Sequence, residues 1–212
     1  MTAGTSLAAL DLRAFSDRLA ERSATPGGGS AAAYLLSMGA ALTAMAFRFT
    51  AGPRFAAVEA ELQSKLAALE ELRTRALDLV DLDSSAYDAV SRAYALPKAT
   101  DADKSARTQA IQAGVRGALE VPMDTLRAAV AALRIAAAGA PHVNKNLASD
   151  CATGSWCLRG AAEGAVLNVR INAASLADTA LARTRLAECE SLRAEAESLA
   201  SSVRSSVAQN QP

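Results

Sequence analysis

Aromatic residues are scarce in this chain: one tryptophan, three tyrosines and four phenylalanines among 212 residues. β-branched runs and turn signals are sparse as well, which excludes a β-sandwich or barrel built from many short strands. Neither sign of charge is in excess, with 22 basic and 22 acidic residues. A nucleic-acid binder that neutralises phosphates would carry a basic surplus or stripe, so no nucleic-acid partner is expected. The three cysteines, Cys151, Cys157 and Cys189, form no C-x-x-C pair and are odd in number. That argues against a disulfide framework or zinc site and for reduced thiols. Met1–Leu12 lacks a basic region leading into a long apolar run, so a cytoplasmic protein is expected. There is one histidine, His142, and no cluster with metal-ligand spacing.

What is abundant is alanine, 53 residues, with Leu, Arg and Glu behind it. All four are strong helix formers, and half the chain is hydrophobic, so the expectation is an all-α fold rather than disorder. About six long helices in an antiparallel bundle are read from the pattern, forming one domain over 1–212. They cover Thr5–Arg22, Ser30–Thr50, Pro53 to about Ala95, Asp101–Lys104 onward, Asn144–Ala174 and Ser175–Val207. Pro122 is expected to kink or break the fourth helix, Gly139 and Pro141 to end it, and Ala208–Pro212 to fray. Ala24–Phe47 carries no charge, but its Ala, Gly and Ser content fits a packed central helix, so no membrane partner is expected. Such a face buries little area per residue, and a homodimer is expected to add burial.

Three polar stretches interrupt this background. Thr25-Pro26-Gly27-Gly28-Gly29-Ser30 precedes the uncharged helix, where free backbone N–H groups favour anions or carbonyl oxygens. Ser30 is placed to cap that helix or to meet a ligand. The stretch is neither a Walker A loop nor a dinucleotide fingerprint, and a plain turn entering a helix would look the same. Asn144–Asp150 is the second stretch. It pairs Asn146 with Asp150 at four-residue spacing, and Asn168 with Asn172 repeat that spacing further on. Asparagines among apolar residues need partners, so interhelical hydrogen bonding explains them as well as ligand binding does. The third holds Asp81, Asp83 and Tyr87, followed by Lys98. Surface carboxylates are the ordinary alternative there.

Together these strings resemble the cyclodeaminase/cyclohydrolase family of folate enzymes. The matching residues are T-P-G-G-G-S-A-A-A at 25–33, D-x-x-A-Y at 83–87, L-P-K-A-T at 96–100 and V-P at 121–122. N-L-A-S-D at 146–150 and G-A-V-L-N-V-R-I-N at 164–172 complete the set, which spans about residues 5–205. The resemblance implies an all-helical dimer with folate bound in a cleft near the subunit interface and no metal or redox cofactor. It implies methenyltetrahydrofolate cyclohydrolase activity, with formiminotetrahydrofolate cyclodeaminase as the alternative. An inactive folate-binding module is the reading from another class. Asp150 or Asp83 would be the general base, and Lys98 an acid or a carboxylate-holding group. Pro26, Gly27, Gly28, Gly29 and Ser30 would line the cleft. Asn146, Ser149, Asn168 and Asn172 would orient the pterin or the attacking water.

Overall fold

The computed structural model describes residues 6–210. They form seven α-helices and, among the described residues, no strand. In chain order these are α1 Leu12–Ala20, α2 Gly28–Arg48, α3 Glu59–Ser64, α4 Leu66–Tyr94, α5 Asp101–Gly139, α6 Ala148–Ala174 and α7 Thr179–Asn210. Single 3-10 turns at Leu7–Ala9, Pro53–Phe55, Ala140–His142 and Lys145–Leu147 connect them.

Starts and stops follow local chemistry. Asp11 accepts from Ala14 N at 2.8 Å and begins α1. Thr100 and Asp103 form a reciprocal capping box at the head of α5. α5 passes at Gly139 into the 3-10 turn Ala140–His142, and no side chain fits at 139, where an added Cβ would stand 2.5 Å from Cε1 of Phe47. The core then arranges itself around α2 and α6, the pair in most extensive contact. α4 flanks α2, α5 packs on α4 and α6, and α7 lies over α5 and α6. Fully buried Leu36, Phe47, Leu69, Leu126, Leu133 and Leu158 fill the middle. At the α2–α6 crossing the backbones nearly touch. A Cβ on Gly39 would lie 2.8 Å from Gly154 O, so small residues set how closely these two helices approach.

The uncharged helix is therefore a core element, with 61% of its most apolar window buried inside the bundle. α7 is far less apolar and is fastened by charge. Arg127 grips Glu188 at 2.7 and 3.0 Å, Arg134 grips Glu195 at 2.6 and 2.8 Å, and Arg185 reaches Glu120 at 2.7 Å.

The all-α expectation holds, while several boundaries move. The first helix begins at Leu12 instead of Thr5, which lies outside the described residues. The helix read from Pro53 to Ala95 is divided, with a 3-10 turn at Pro53 and a junction at Lys65 between α3 and α4. Residues 208–210 continue α7, and 211–212 lie outside the described part. The most informative correction is Pro122, which neither ends α5 nor splits it. A proline withholds one N–H and crowds the carbonyl four residues back. Here that carbonyl, on Ala118, is served at 2.6 Å by Asn172 Nδ2 from α6.

Candidate active site

A cavity of about 350 Å³ opens where the N-terminus of α2 meets the C-terminal half of α4, the middle of α5 and the C-terminal third of α6. Gly27, Gly28 and Gly29 form one wall, and Asp83, Tyr87 and Tyr94 another. Asn168 and Asn172 face them from α6.

Helix α2 starts at Gly28, two residues before the expected position, with Gly27 as a cap that has no side chain to offer. The cap is supplied from α4 instead. Ser30 Oγ donates to Asp83 Oδ2 at 2.8 Å, and the Ser30 backbone N–H also serves this carboxylate. Ser30 is thus not an N-cap. It is a fully buried residue in the first turn, held between Asp83, the Val80 carbonyl at 3.2 Å and Ser84 Oγ at 3.3 Å. A hydroxyl has one proton to give, and the shorter contact assigns it to ionised Asp83.

The glycines also act otherwise than expected. None of the three takes a positive φ; among the described residues Gly52 alone does. What Gly29 supplies is room, since a Cβ there would come within 2.6 Å of Asp83 Cγ. Gly28 would meet nothing nearer than Asn168 Nδ2 at 3.8 Å, and Gly27 nothing nearer than Ala24 O at 3.6 Å.

Burial raises the pKa of Asp83, and the two hydrogen bonds from Ser30 oppose that rise without cancelling it. Among the described residues no Lys or Arg forms an ion pair with it. A carboxylate so placed is a stronger base than an exposed one and suits a cationic ligand. Asn168 donates its amide to Gly164 O at 2.9 Å, and Asn172 donates to Ala118 O at 2.6 Å. Both residues line the cavity, and in both the amide nitrogen is the end bound to a carbonyl. The interhelical bond expected as the structural alternative is thus present for Asn172, in the same residue that lines the cavity.

The other predicted residues stand elsewhere. Asp81 anchors the N-terminal segment, accepting from Ser6 Oγ and Leu7 N, both at 2.6 Å. Lys98 is exposed on the α4–α5 loop and does not line the cavity. Asn146 belongs to the 3-10 turn before α6, so it shares no regular helical face with Asp150. Ser149 is exposed and Asp150 half-buried at the first turn of α6. Eighteen residues of helix separate Asp150 from Asn168, about 27 Å at 1.5 Å per residue. Pro26 sits just before the glycine wall, outside the cavity lining. Sequence reasoning missed Val90, Tyr94 and Ile171. The first two continue the Asp83–Tyr87 face of α4 at helical spacing, a signal that was available.

A helical bundle with a carboxylate-bearing cavity at a helix start defines a class, and comparison with known proteins defines the family. Residues 11–191 match the sequence profile of formiminotransferase-cyclodeaminase. The chain belongs to that family. It is 39% identical over 189 residues to a methenyltetrahydrofolate cyclohydrolase of Methylorubrum extorquens, covering 89% of this chain and 91% of that protein. It is 34% identical over 198 residues to the formimidoyltransferase-cyclodeaminase of Sus scrofa, covering 91% of this chain but only 36% of that longer protein. Its fold superposes on the crystal structure of a formiminotetrahydrofolate cyclodeaminase from Thermotoga maritima with a TM-score of 0.85. Sequence identity there is 29%, over 95% of this chain and 97% of that one.

Proposed function

We propose that this chain is a methenyltetrahydrofolate cyclohydrolase that opens 5,10-methenyltetrahydrofolate to 10-formyltetrahydrofolate. The observation that carries this reading is Asp83, a half-buried carboxylate on the cavity wall, where no described lining residue is Lys, Arg or His. The bound amidinium cation supplies the missing positive charge. Asp83 takes a proton from water as the water oxygen bonds to the carbon between N5 and N10. The tetrahedral carbon then releases N5, which takes the proton held by Asp83, while the hydroxyl proton passes to solvent and the formyl group remains on N10. Asn168 and Asn172 offer acceptors to pterin N–H groups. The chemistry is hydrolytic, so no redox cofactor enters it. The end-to-end similarity to the M. extorquens cyclohydrolase supports the choice of reaction.

The alternative, cyclodeamination of 5-formiminotetrahydrofolate, draws support from the T. maritima fold. Purified protein separates the two. Loss of methenyltetrahydrofolate absorbance faster than in buffer is the expected result. Ammonia release from formiminotetrahydrofolate without that loss would transfer the assignment to the deaminase. Folate binding with neither activity would leave a binding module.

The same reading includes a homodimer. Leu35 and Leu42 of α2, Phe49 just past its end, and Trp156, Leu167 and Ile171 of α6 are half-exposed to exposed apolar residues, with Trp156 62% and Ile171 67% exposed. A two-fold axis near Gly160 would pair α6 with its copy in antiparallel fashion. Position 149 would then meet position 171, bringing Asp150 of the partner subunit to the mouth of the Asp83 cavity. This accounts for two polar motifs lying about 27 Å apart on one helix.

A further inference from the structure

We propose that Pro122 is a positioning residue for substrate binding, acting through the Ala118 carbonyl on the side-chain amide of Asn172. In an uninterrupted α-helix Ala118 O would accept from the N–H of residue 122, but proline has none. The carbonyl is left without its helical donor. Asn172 Nδ2 takes it at 2.6 Å, a short contact for an N–H···O bond.

A carbonyl can only accept, so the end of the Asn172 amide that faces Ala118 must be its NH₂ group. That fixes which end remains. Oδ1 is the end not engaged by Ala118, on a residue that lines the cavity together with Ala118. The site consequently presents an acceptor at this position and selects a ligand edge that carries an N–H. Without Pro122 the backbone N–H of residue 122 would compete for the carbonyl, and the amide would be free to rotate and offer either end. Buried Pro122 touches no ligand on this account; it sets the hydrogen-bonding sense of a residue that does.

Resting on the folate reading above, the inference assigns the Asn172 acceptor to the amino and ring N–H edge of the pterin. Pro122→Ala is the variant to make, since it restores the backbone donor and leaves the helix intact. KM for 5,10-methenyltetrahydrofolate is expected to rise about three- to tenfold, the effect of one neutral hydrogen bond, with kcat nearly unchanged. Tm should stay level or rise, because a helix-interior proline is removed. Asn172→Ala should raise KM similarly, and the double variant should add little to either single one. Unchanged KM in Pro122→Ala overturns the proposal, as does full additivity of the two substitutions. A readout independent of turnover is hydrogen exchange of the Asn172 side-chain amide. It should be slow in the wild type and faster in Pro122→Ala. Equal exchange in both refutes the positioning role even if the folate assignment stands. Altered exchange without any wild-type turnover refutes the folate assignment alone.

Discussion

Asp83 lies over the backbone of Gly29 so closely that any β-carbon at position 29 would stand 2.6 Å from its carboxyl carbon. The start of α2 and the carboxylate of α4 therefore occupy space that only glycine leaves open. Gly29→Ala must displace the carboxylate or the helix end. It should cost about 1–3 kcal/mol of stability, as overpacking does, and most of the activity. Gly28→Ala meets ordinary contact distances and should be stable or gain about 0.5–1 kcal/mol. Thermal melts and turnover of the two variants test the contrast, and equal damage from both would contradict it.

Asp83 governs pH dependence in two ways. Burial raises its folded pKa above the ordinary 3.8, so the folded chain binds a proton more tightly than the unfolded one. Its contribution to stability is then fullest below the unfolded value and declines as pH rises through the folded value. Activity moves oppositely, because the base must be ionised, and kcat/KM should fall on an acid limb above the ordinary carboxylate range. Asp83→Asn should remove this group's share of the pH dependence of stability. It should also lower turnover by about 10²–10⁴-fold with little loss of folding. A full-rate Asp83→Asn enzyme would remove Asp83 from the mechanism.

Asp83→Asn and Asp150→Asn also test the shared site by complementation. If Asp150 serves the cavity of the partner subunit, each inactive homodimer lacks one group in both sites. Subunit exchange between them yields heterodimers with one intact site, and activity should return to about a quarter of wild type. No recovery in mixtures shown to have exchanged would place Asp150 outside the partner's site. A monomer by sedimentation would exclude the arrangement.

The α5–α7 contact is held by ion pairs at half-exposed positions, so its strength should depend on salt. Arg127→Ala breaks a bidentate grip on Glu188 and a bond to Asp124 at 3.0 Å. The expected cost is about 1 kcal/mol at low salt, shrinking as the Debye length shortens. Glu188 is held below its usual pKa by the Arg127 hydrogen bonds, so its contribution is present above the unfolded value of 4.5 and is lost as pH falls through the folded one. Melting curves across salt and pH read both effects.

Helix content, the uncharged core helix and the polar strings were legible in the sequence, because each rests on local propensity or on residues conspicuous against an alanine background. The two asparagines at 168 and 172 share a face by spacing alone, and they do meet the same cavity. The role of the glycines was not legible. Three in a row suggest backbone freedom, whereas the requirement is space beneath a carboxylate 54 residues away in sequence. Pro122 misled for a related reason. Local rules give the cost of a missing N–H but cannot show that an amide from another helix meets the orphaned carbonyl.

What the sequence by itself determined is the all-helical class and the identity of the polar residues, since helical propensity and hydrophobic spacing act within a few residues. Only the tertiary structure decided which of them share a site. Asp83, Gly29 and Asn172 converge because α2, α4, α5 and α6 pack together, while Asp150 and Lys98 stand apart within one chain. That sorting depends on contacts between distant segments, where close packing of small side chains sets the distances.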